Sequence, residues 1–363
     1  MLRAIALAQQ AEFQTEPNPM VGSVLVSGSG DILGEGWHQA AGLPHAEVNS
    51  LMNFETVPPD STLYVTLEPC NHQGRTPACT SLLLQKQVKH LVVGALDPNP
   101  QMSGRSIELL RDAGVQVETG LMGEACHAIN RVFNKHITTK RPYVTAKVAI
   151  TLDGKIATAT GESQWITGAE AREYGHKLRS EHQGIAIGRG TLVADNPRLT
   201  NRNPGAPRQP AQILFSSSLD WPGGLAFFEP KKQPRYLVTK NNPPLGPLKK
   251  AQDLGVKTLV SDQPDPPVSW ALDQLYQEGI TSLLIEGGSG LLAGFLKENL
   301  VDRICAFVSP RIMGQPSAPS FSGEIGTRSL ADIPEFHFAE TQALGKDLLV
   351  ELYLRETDVY RVD

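Results

Sequence analysis

The feature that most limits the fold is an alternation of strand-like and helix-like segments that runs through the chain twice. In the first half, VGSVLV (21–26) reads as a buried strand, GSGD (28–31) as a hairpin turn before ILGEGWH, and AEVNSLMNF (46–54) as a helix. STLYVTL (61–67) follows as a strand, TSLLLQKQV (80–88) as a helix and HLVVGAL (90–96) as a strand. SIELLRDAG (106–114) reads as a helix closed by glycine, and VQVETG as a short strand. Segments in this order imply a layered α/β sheet. The stretch 125–142 is helical, turns basic and loses its apolar period before Pro142, where strand character restarts at YVTAKVAIT. The pattern resumes through GIAIGRG, AQILFSS, RYLVTK, TLVSD, TSLLIEGG, RICAFVSP and DLLVELYLRE. A chain of 363 residues exceeds one comfortable core. Two domains are therefore expected, 1–140 and 141–363, meeting near 138–142. Proline-rich patches at 203–210, 243–247 and 264–267 read as surface loops, and no internal repeat relates the halves.

Charge and cysteine usage remove several function classes. The 33 basic and 38 acidic residues give a net charge of −5, the wrong sign for a general nucleic-acid footprint. The N-terminal MLRAIALAQQAEF has an apolar run too short and broken for a signal peptide and reads as an amphipathic helix. No apolar stretch of membrane-spanning length occurs. Four cysteines are too few for a disulfide scaffold, so a cytoplasmic chain with reduced thiols or metal-bound thiolates is expected.

Two of those cysteines sit in EPCNHQGRTPAC (68–79), downstream of AGLPHAEV (41–48). An imidazole and two thiolates are good zinc ligands, and three protein ligands leave a fourth position open for water. His45, Cys70 and Cys79 supply such a set, with Glu47 beside it as the proton carrier of a hydrolytic deamination. Residues two apart point about 200° from each other on an ideal helix. His45 and Glu47 therefore need a helix entrance, which Pro44 suggests; Pro69 and Pro77 likewise suggest helix starts near Cys70 and Cys79. Zinc deaminases carry His-x-Glu followed by Pro-Cys-x-x-Cys; here eight residues separate the cysteines, so the match is partial. The alternatives are an ordinary helix start at HAE, two unrelated thiols, or a closed structural site with His72 as fourth ligand.

With PNPMVGSVLV (17–26), GEGWH (34–38), YVTLEPCNHQGRTPAC (64–79) and DPNPQMSGRS (97–106), this stretch resembles the bacterial bifunctional riboflavin-biosynthesis enzymes. In that family a loop of this length separates the cysteines. The resemblance covers nearly the whole chain. It implies a cytidine-deaminase-like layered α/β domain followed by a dihydrofolate-reductase-like α/β domain, with Zn2+ and NADPH as cofactors. The implied partner is a phosphoribosylated pyrimidine, with neither nucleic acid nor membrane involved and with homo-oligomeric assembly. Asn18 matches the family's pyrimidine-contacting asparagine, and His72, Arg75 and Thr76 are candidate contacts to ring, ribose or phosphate. His38 is either another contact or a satisfied strand-end histidine. Ser23 stands where a cysteine is frequent.

In the second half, SLLIEGGSGLLAGFL (282–296) runs from strand through a glycine loop into a helix, where free N–H groups attract phosphate. The Rossmann spacing is absent, since Gly294 is the next glycine after Gly288 and Gly290. Together with KVAITLDGKIAT (147–158), GESQWITG (161–168) and HKLRSEHQGIAIGRGTLVADNPRLTNR (176–202), the loop resembles the family's reductase domain. The resemblance implies cofactor contacts at Ile150, Trp165, Thr191, Asp195, Ser217 and Gly288, Ser289, Gly290, Leu291, Leu292, Ala293 and Gly294. It implies substrate contacts at Ser163, Arg179, Leu199, Arg202 and Glu286, with Lys147 helping to position the opening sugar. Arg179 and Arg202 suit a phosphate because a guanidinium donates a fork. Cys126 and Cys305 read as small buried hydrophobes.

Overall fold

A computed structural model describes residues 1–71, 77–100, 102–203 and 208–354. They form two compact units, Met1–Lys140 and the residues from Arg141 onward. No helix among the described residues is long and apolar enough to cross a membrane.

The first unit runs α1 (Leu2–Ala8), β1 (Gly22–Val26), β2 (Ile32–Trp37), α2 (Ala46–Leu51), β3 (Thr62–Leu67), α3 (Cys79–Gln85), β4 (His90–Ala95), α4 (Arg105–Asp112), β5 (Gln116–Thr119), α5 (Gly123–Ile129) and α6 (Arg131–Thr139). Its sheet has the order β2-β1-β3-β4-β5, with β1 antiparallel to both neighbours and β3, β4 and β5 mutually parallel. Successive residues of β1 face opposite layers: Val24 packs with Ala4 and Leu7 of α1, and Leu25 with Leu51, Leu63 and Leu83. Burial on both faces explains why VGSVLV reads as a continuous apolar run. At Gly36 a Cβ would stand 2.5 Å from both the Ala46 carbonyl oxygen and the Ser50 nitrogen, so α2 lies directly on the β2 backbone. Ser23 and Ser50 share a buried 2.8 Å hydroxyl hydrogen bond across the same contact. The basic stretch 125–142 is two helices rather than one, broken at the buried Asn130.

The second unit runs β6 (Tyr143–Thr151), α7 (Ala169–Glu181), β7 (Gly184–Gly188), α8 (Arg189–Asp195), β8 (Ala211–Phe215), β9 (Arg235–Thr239), α9 (Leu245–Asp253), β10 (Lys257–Val260), α10 (Val268–Gln277), β11 (Ser282–Ile285), α11 (Ser289–Lys297), β12 (Arg303–Ser309), β13 (Phe336–Leu344) and β14 (Asp347–Leu354). Among the described residues its sheet has the order β10-β9-β8-β7-β11-β6-β12-β14-β13. Every pair from β10 to β12 is parallel, and an antiparallel β14–β13 hairpin closes the edge. The strand pleat divides the core into two layers, with Leu283 on one face and its neighbour Leu284 on the other. Strand β11 enters between β6 and β7, so the chain reverses direction across the sheet there. Ligands of open α/β sheets bind at the carboxyl ends of strands beside such a switch point.

Two local expectations are corrected, and one strand carries no sequence signal. The patch 243–247 is a loop only up to Pro244, the N-cap of α9, and its last three residues are helical, whereas 264–267 is the expected surface loop and ends at Pro267, the N-cap of α10. Cys70 follows β3 in a loop, so Pro69 marks no helix start, whereas α3 does begin at Cys79. Strand β13 is exposed along most of its length and held by pairing with β14; with no buried face it shows no apolar alternation to read.

Candidate active sites

Helix α2 starts at Ala46 with His45 as an extended N-cap and Glu47 in its first turn, the entrance that lets residues two apart converge. The His45 Nδ1 lies 3.2 Å from the Cys79 Sγ and 3.5 Å from the Cys70 Sγ, and the three donor atoms are all within 4.8 Å of one another. Tetrahedral zinc with Zn–N of about 2.05 Å and Zn–S of about 2.3 Å separates such donors by about 3.6 Å. The donor set therefore fits zinc. The backbone N–H of Cys79, at the start of α3, donates to the Cys70 Sγ at 3.3 Å. The Cys79 thiol, that N–H and His45 hold the Cys70 thiol down, to about 4, against the opposing effect of burial. The two sulfurs share one proton, so Cys79 is pushed up by the same hydrogen bond. Glu47 is only 3% exposed, and burial raises its carboxyl above the usual range. His72, Arg75 and Thr76 lie outside the described residues.

The surroundings hold this centre through His38 and Asn18 and through three residues the sequence reading passed over, Asn130, His136 and Glu68. The Nδ1 of His38 pairs with the Pro44 carbonyl oxygen at 3.1 Å and its Nε2 with the Asn18 Nδ2 at 3.1 Å. A carbonyl only accepts, so His38 Nδ1 donates, Nε2 accepts from Asn18, and the Asn18 Oδ1 stays available to a ligand. His38 is thus a satisfied histidine, set edge-on against His45 with ring centroids 5.3 Å apart. Asn130 grips the Met20 backbone at both N–H (2.8 Å) and C=O (2.9 Å), and the His136 Nε2 pairs with the Pro17 carbonyl at 3.0 Å, pinning the loop that carries Asn18. Glu68, two residues before Cys70, accepts four hydrogen bonds. They come from the Asp97 and Gly104 N–H groups and from the Ser106 N–H and hydroxyl. The paired glutamate and serine of LEPC and SGRS were the only signal for this bond, and nothing local in either segment links them.

In the second unit, a cleft of about 1160 Å³ opens at the carboxyl ends of β7, β8 and β11. It exceeds the roughly 300–1,000 Å³ of a single small-ligand site and suits two ligands side by side. Of the expected residues, Lys147, Ser163, Trp165, Arg179, Thr191, Asp195, Leu199, Arg202, Glu286 and Gly288–Leu291 line it. Ile150, Ser217, Leu292, Ala293 and Gly294 do not. Ile150 and Leu292 lie in the core, Ala293 is buried, Gly294 abuts Val268 of α10, and Ser217 is exposed beyond β8. Past its first turn, α11 faces the core rather than the cleft.

Hydrogen bonds fix the cleft walls. The Thr191 hydroxyl accepts from the Gly288 N–H at 3.0 Å, tying α8 to the glycine loop. The Ser163 hydroxyl reaches Asp195 at 3.4 Å. Arg179 donates Nε and Nη2 to Glu286 at 2.7 and 2.6 Å, and Nη1 to the Thr200 carbonyl at 2.9 Å. Three of its five N–H donors are therefore engaged within the protein. Buried Gln212 donates to the Arg198 carbonyl at 2.8 Å and steadies the loop carrying Leu199 and Arg202. Trp165, 62% exposed, stacks on Arg172 at 4.6 Å and forms the mouth wall. Burial lowers the Lys147 pKa, with Arg179 adding to the shift and Glu286 opposing it.

Comparison with known proteins assigns both units. A family model described as the cytidine and deoxycytidylate deaminase zinc-binding region matches residues 1–95, and the RibD C-terminal domain model matches 142–350. The riboflavin biosynthesis protein RibD of Actinobacillus pleuropneumoniae is 39% identical over 97% of this chain and 93% of that protein. The Acinetobacter baumannii RibD structure superposes with a TM-score of 0.84 at 34% identity, covering 98% of each chain. A Thermotoga maritima structure described as a diaminohydroxyphosphoribosylaminopyrimidine deaminase and 5-amino-6-(5-phosphoribosylamino)uracil reductase gives 0.82 at 33% identity, over 98% of this chain and 97% of that one. The first unit is a cytidine-deaminase-like α/β domain and the second a dihydrofolate-reductase-like one. With a domain model matching each unit and similarity running the full length of its relatives, the chain belongs to the RibD family of riboflavin-biosynthesis proteins.

Proposed function

We propose that the chain performs two consecutive steps of riboflavin biosynthesis. Its first unit hydrolytically deaminates a diaminohydroxy-phosphoribosylaminopyrimidine, and its second reduces the ribosyl chain of the product to ribityl with NADPH. The observation that carries the reading is the convergence of the His45, Cys70 and Cys79 donors beside the buried Glu47. Cytoplasmic location and homo-oligomeric assembly belong to the same proposal.

Zinc, when bound by His45, Cys70 and Cys79, supplies a Lewis acid that makes water nucleophilic near neutral pH. Glu47 takes the proton of that water and returns it to the departing ring amine, so ammonia leaves neutral. The Asn18 Oδ1, oriented by His38, accepts from a ring N–H or amine and fixes the pyrimidine. In the second unit NADPH, when bound, supplies the hydride that reduces the sugar's anomeric carbon and opens the ribose. Trp165 would wall the nicotinamide, and the N–H groups of Ser289 and Gly290, on a loop anchored by the Gly288–Thr191 hydrogen bond, would be offered to the cofactor phosphates. Lys147, Asp195 and Glu286 surround the sugar, where a buried lysine can hold or give up a proton.

The test is Glu47→Gln in the full-length enzyme. Metal content should be unchanged and ammonia release should fall by about 10²–10⁴-fold, the usual contribution of a general acid–base group. NADPH oxidation on 5-amino-6-(5-phosphoribosylamino)uracil should continue at the parent rate. Deamination at the parent rate would remove Glu47 from this role, and failure to oxidise NADPH with either pyrimidine would remove the reductase assignment.

A further inference from the structure

Helix α7 presents Arg172, Gly175, His176 and Arg179 to the cleft, at positions i, i+3, i+4 and i+7 of a single face. Three of these are already engaged. Arg172 stacks on Trp165 and donates to the Thr167 carbonyl at 2.9 Å. At Gly175 a Cβ would stand 3.8 Å from the Lys147 Cε, which brings the Lys147 stem alongside the helix. Arg179 is bonded to Glu286 and Thr200. His176 remains. Its Nδ1 is buried with no hydrogen-bond partner among the described residues, whereas its Nε2 is neither buried nor bonded and opens on the cleft.

The charges around this imidazole define what it meets. Lys147, Arg179, Arg202 and Glu286 all act on it electrostatically. Arg179 and Glu286 neutralise each other as a bidentate pair, which leaves the two positive charges of Lys147 and Arg202. A phosphate monoester carries about −1.5 to −2 at neutral pH and matches them. We propose that His176 is a substrate-binding residue of the reductase site, donating its Nε2–H to the phosphate of the phosphoribosyl substrate beside Arg202 and Lys147. This rests on the reductase reading of the second unit. The tautomer follows from the surroundings, because a proton on Nδ1 would be a buried donor without an acceptor. Burial, Arg179 and Arg202 lower the pKa of His176 and keep the ring a neutral donor.

The experiment measures binding to the full-length protein without NADPH. The ligands are 5-amino-6-(5-phosphoribosylamino)uracil and the same compound lacking its phosphate; NADPH binding is followed separately by fluorescence. His176→Leu should weaken the phosphorylated ligand about tenfold, as for a lost hydrogen bond to a charged group. It should leave the dephosphorylated ligand and NADPH unchanged, and His176→Gln, which keeps an N–H donor, should recover most of the loss. Equal weakening of both ligands would place His176 on the sugar or ring and overturn the proposal, as would no weakening of either. If His176→Leu melts early, His176→Ala, which also removes the donor, takes its place and the same split between ligands is read. Unmutated protein that binds the two ligands equally overturns the phosphate assignment alone, and protein that binds neither overturns the reductase reading itself.

Discussion

The donors of the metal centre come from residues 45 to 79 and lie within 4.8 Å of one another, whereas the reductase cleft draws its walls from Lys147 to Phe321. The first site is defined by coordination chemistry, which demands particular atoms at particular distances and therefore leaves a motif. The second is defined by shape and summed charge, which many residue choices can meet. Its working parts, such as the Arg179–Glu286 pair 107 residues apart in sequence, are assembled only by the sheet. If this contrast is right, the two units should fail differently.

The largest expected effect is on metal removal. A strong chelator should abolish ammonia release while leaving NADPH oxidation on the deaminated pyrimidine intact, and most far-ultraviolet circular dichroism should survive. The centre has three protein ligands and sits on a unit with its own apolar core, so zinc is needed for chemistry more than for folding. Unfolding of the first unit on chelation would instead make zinc a structural element and remove the contrast.

Next comes Glu286→Gln. Arg179 and Glu286 are 16% and 11% exposed, and removing one partner leaves a buried guanidinium unpaired. A loss of about 3–5 kcal/mol is expected, read from urea unfolding followed by tryptophan fluorescence. Three of the four tryptophans, Trp165, Trp221 and Trp270, lie in the second unit. Deamination should be unaffected. A variant as stable as the parent would show that the cleft does not depend on this pair.

The legibility of the sequence follows the same contrast. Strands buried on both faces, such as β1 and β7, were readable because continuous apolar runs record their burial. Strand β13 was not, since only Phe336 and Leu344 at its ends touch the core and the exposed residues between them are held by pairing with β14. At the metal centre the ligand set and Glu47 were readable from residue type and order. Asn130 and His136, which hold the Asn18 loop through bonds to Met20 and Pro17, were not, because those bonds span 110 and 119 residues. His176 lies between: its spacing to Arg172 and Arg179 is helical and visible in AREYGHKLR, but only the cleft shows that this face meets a ligand.

A third test uses pH. His182 is buried, with its Nδ1 bonded to the Leu178 carbonyl at 2.7 Å and its Nε2 to the Thr145 hydroxyl at 2.8 Å. Burial holds its pKa down to about 4, with Arg303 and Arg208 adding to the effect. Between about pH 6.5 and 4 the unfolded chain binds a proton that the folded one does not, so stability falls as pH drops through that window. A shift of this size corresponds to about 3 kcal/mol. Urea unfolding of the second unit at pH 7.5, 6 and 5 should show that decline, and His182→Gln should flatten it. Equal slopes for parent and variant would assign the decline to other groups.

The smallest effect probes whether the motif-defined site stands on its own. Glu68 belongs to the same LEPC motif as Cys70, yet its four hydrogen bonds go to the segment from Asp97 to Ser106. Those bonds fill both carboxylate oxygens, two donors to each. In Glu68→Gln one oxygen becomes an amide N–H₂ group, which must face either the Asp97 and Gly104 N–H groups or the Ser106 pair. A donor set against donors loses two bonds and leaves buried N–H groups unmatched, at a cost of about 1–3 kcal/mol. The loop from Leu67 to Cys70 should then loosen and move one of the three metal donors. Weaker zinc retention under mild chelation, with reductase turnover unchanged, is the expected result, and it separates a role at the metal from general destabilisation. Unchanged zinc retention would mean that His45, Cys70 and Cys79 hold their geometry without help from the rest of the unit. That outcome would make the contrast between the two sites sharper than the hydrogen bonds of Glu68 suggest.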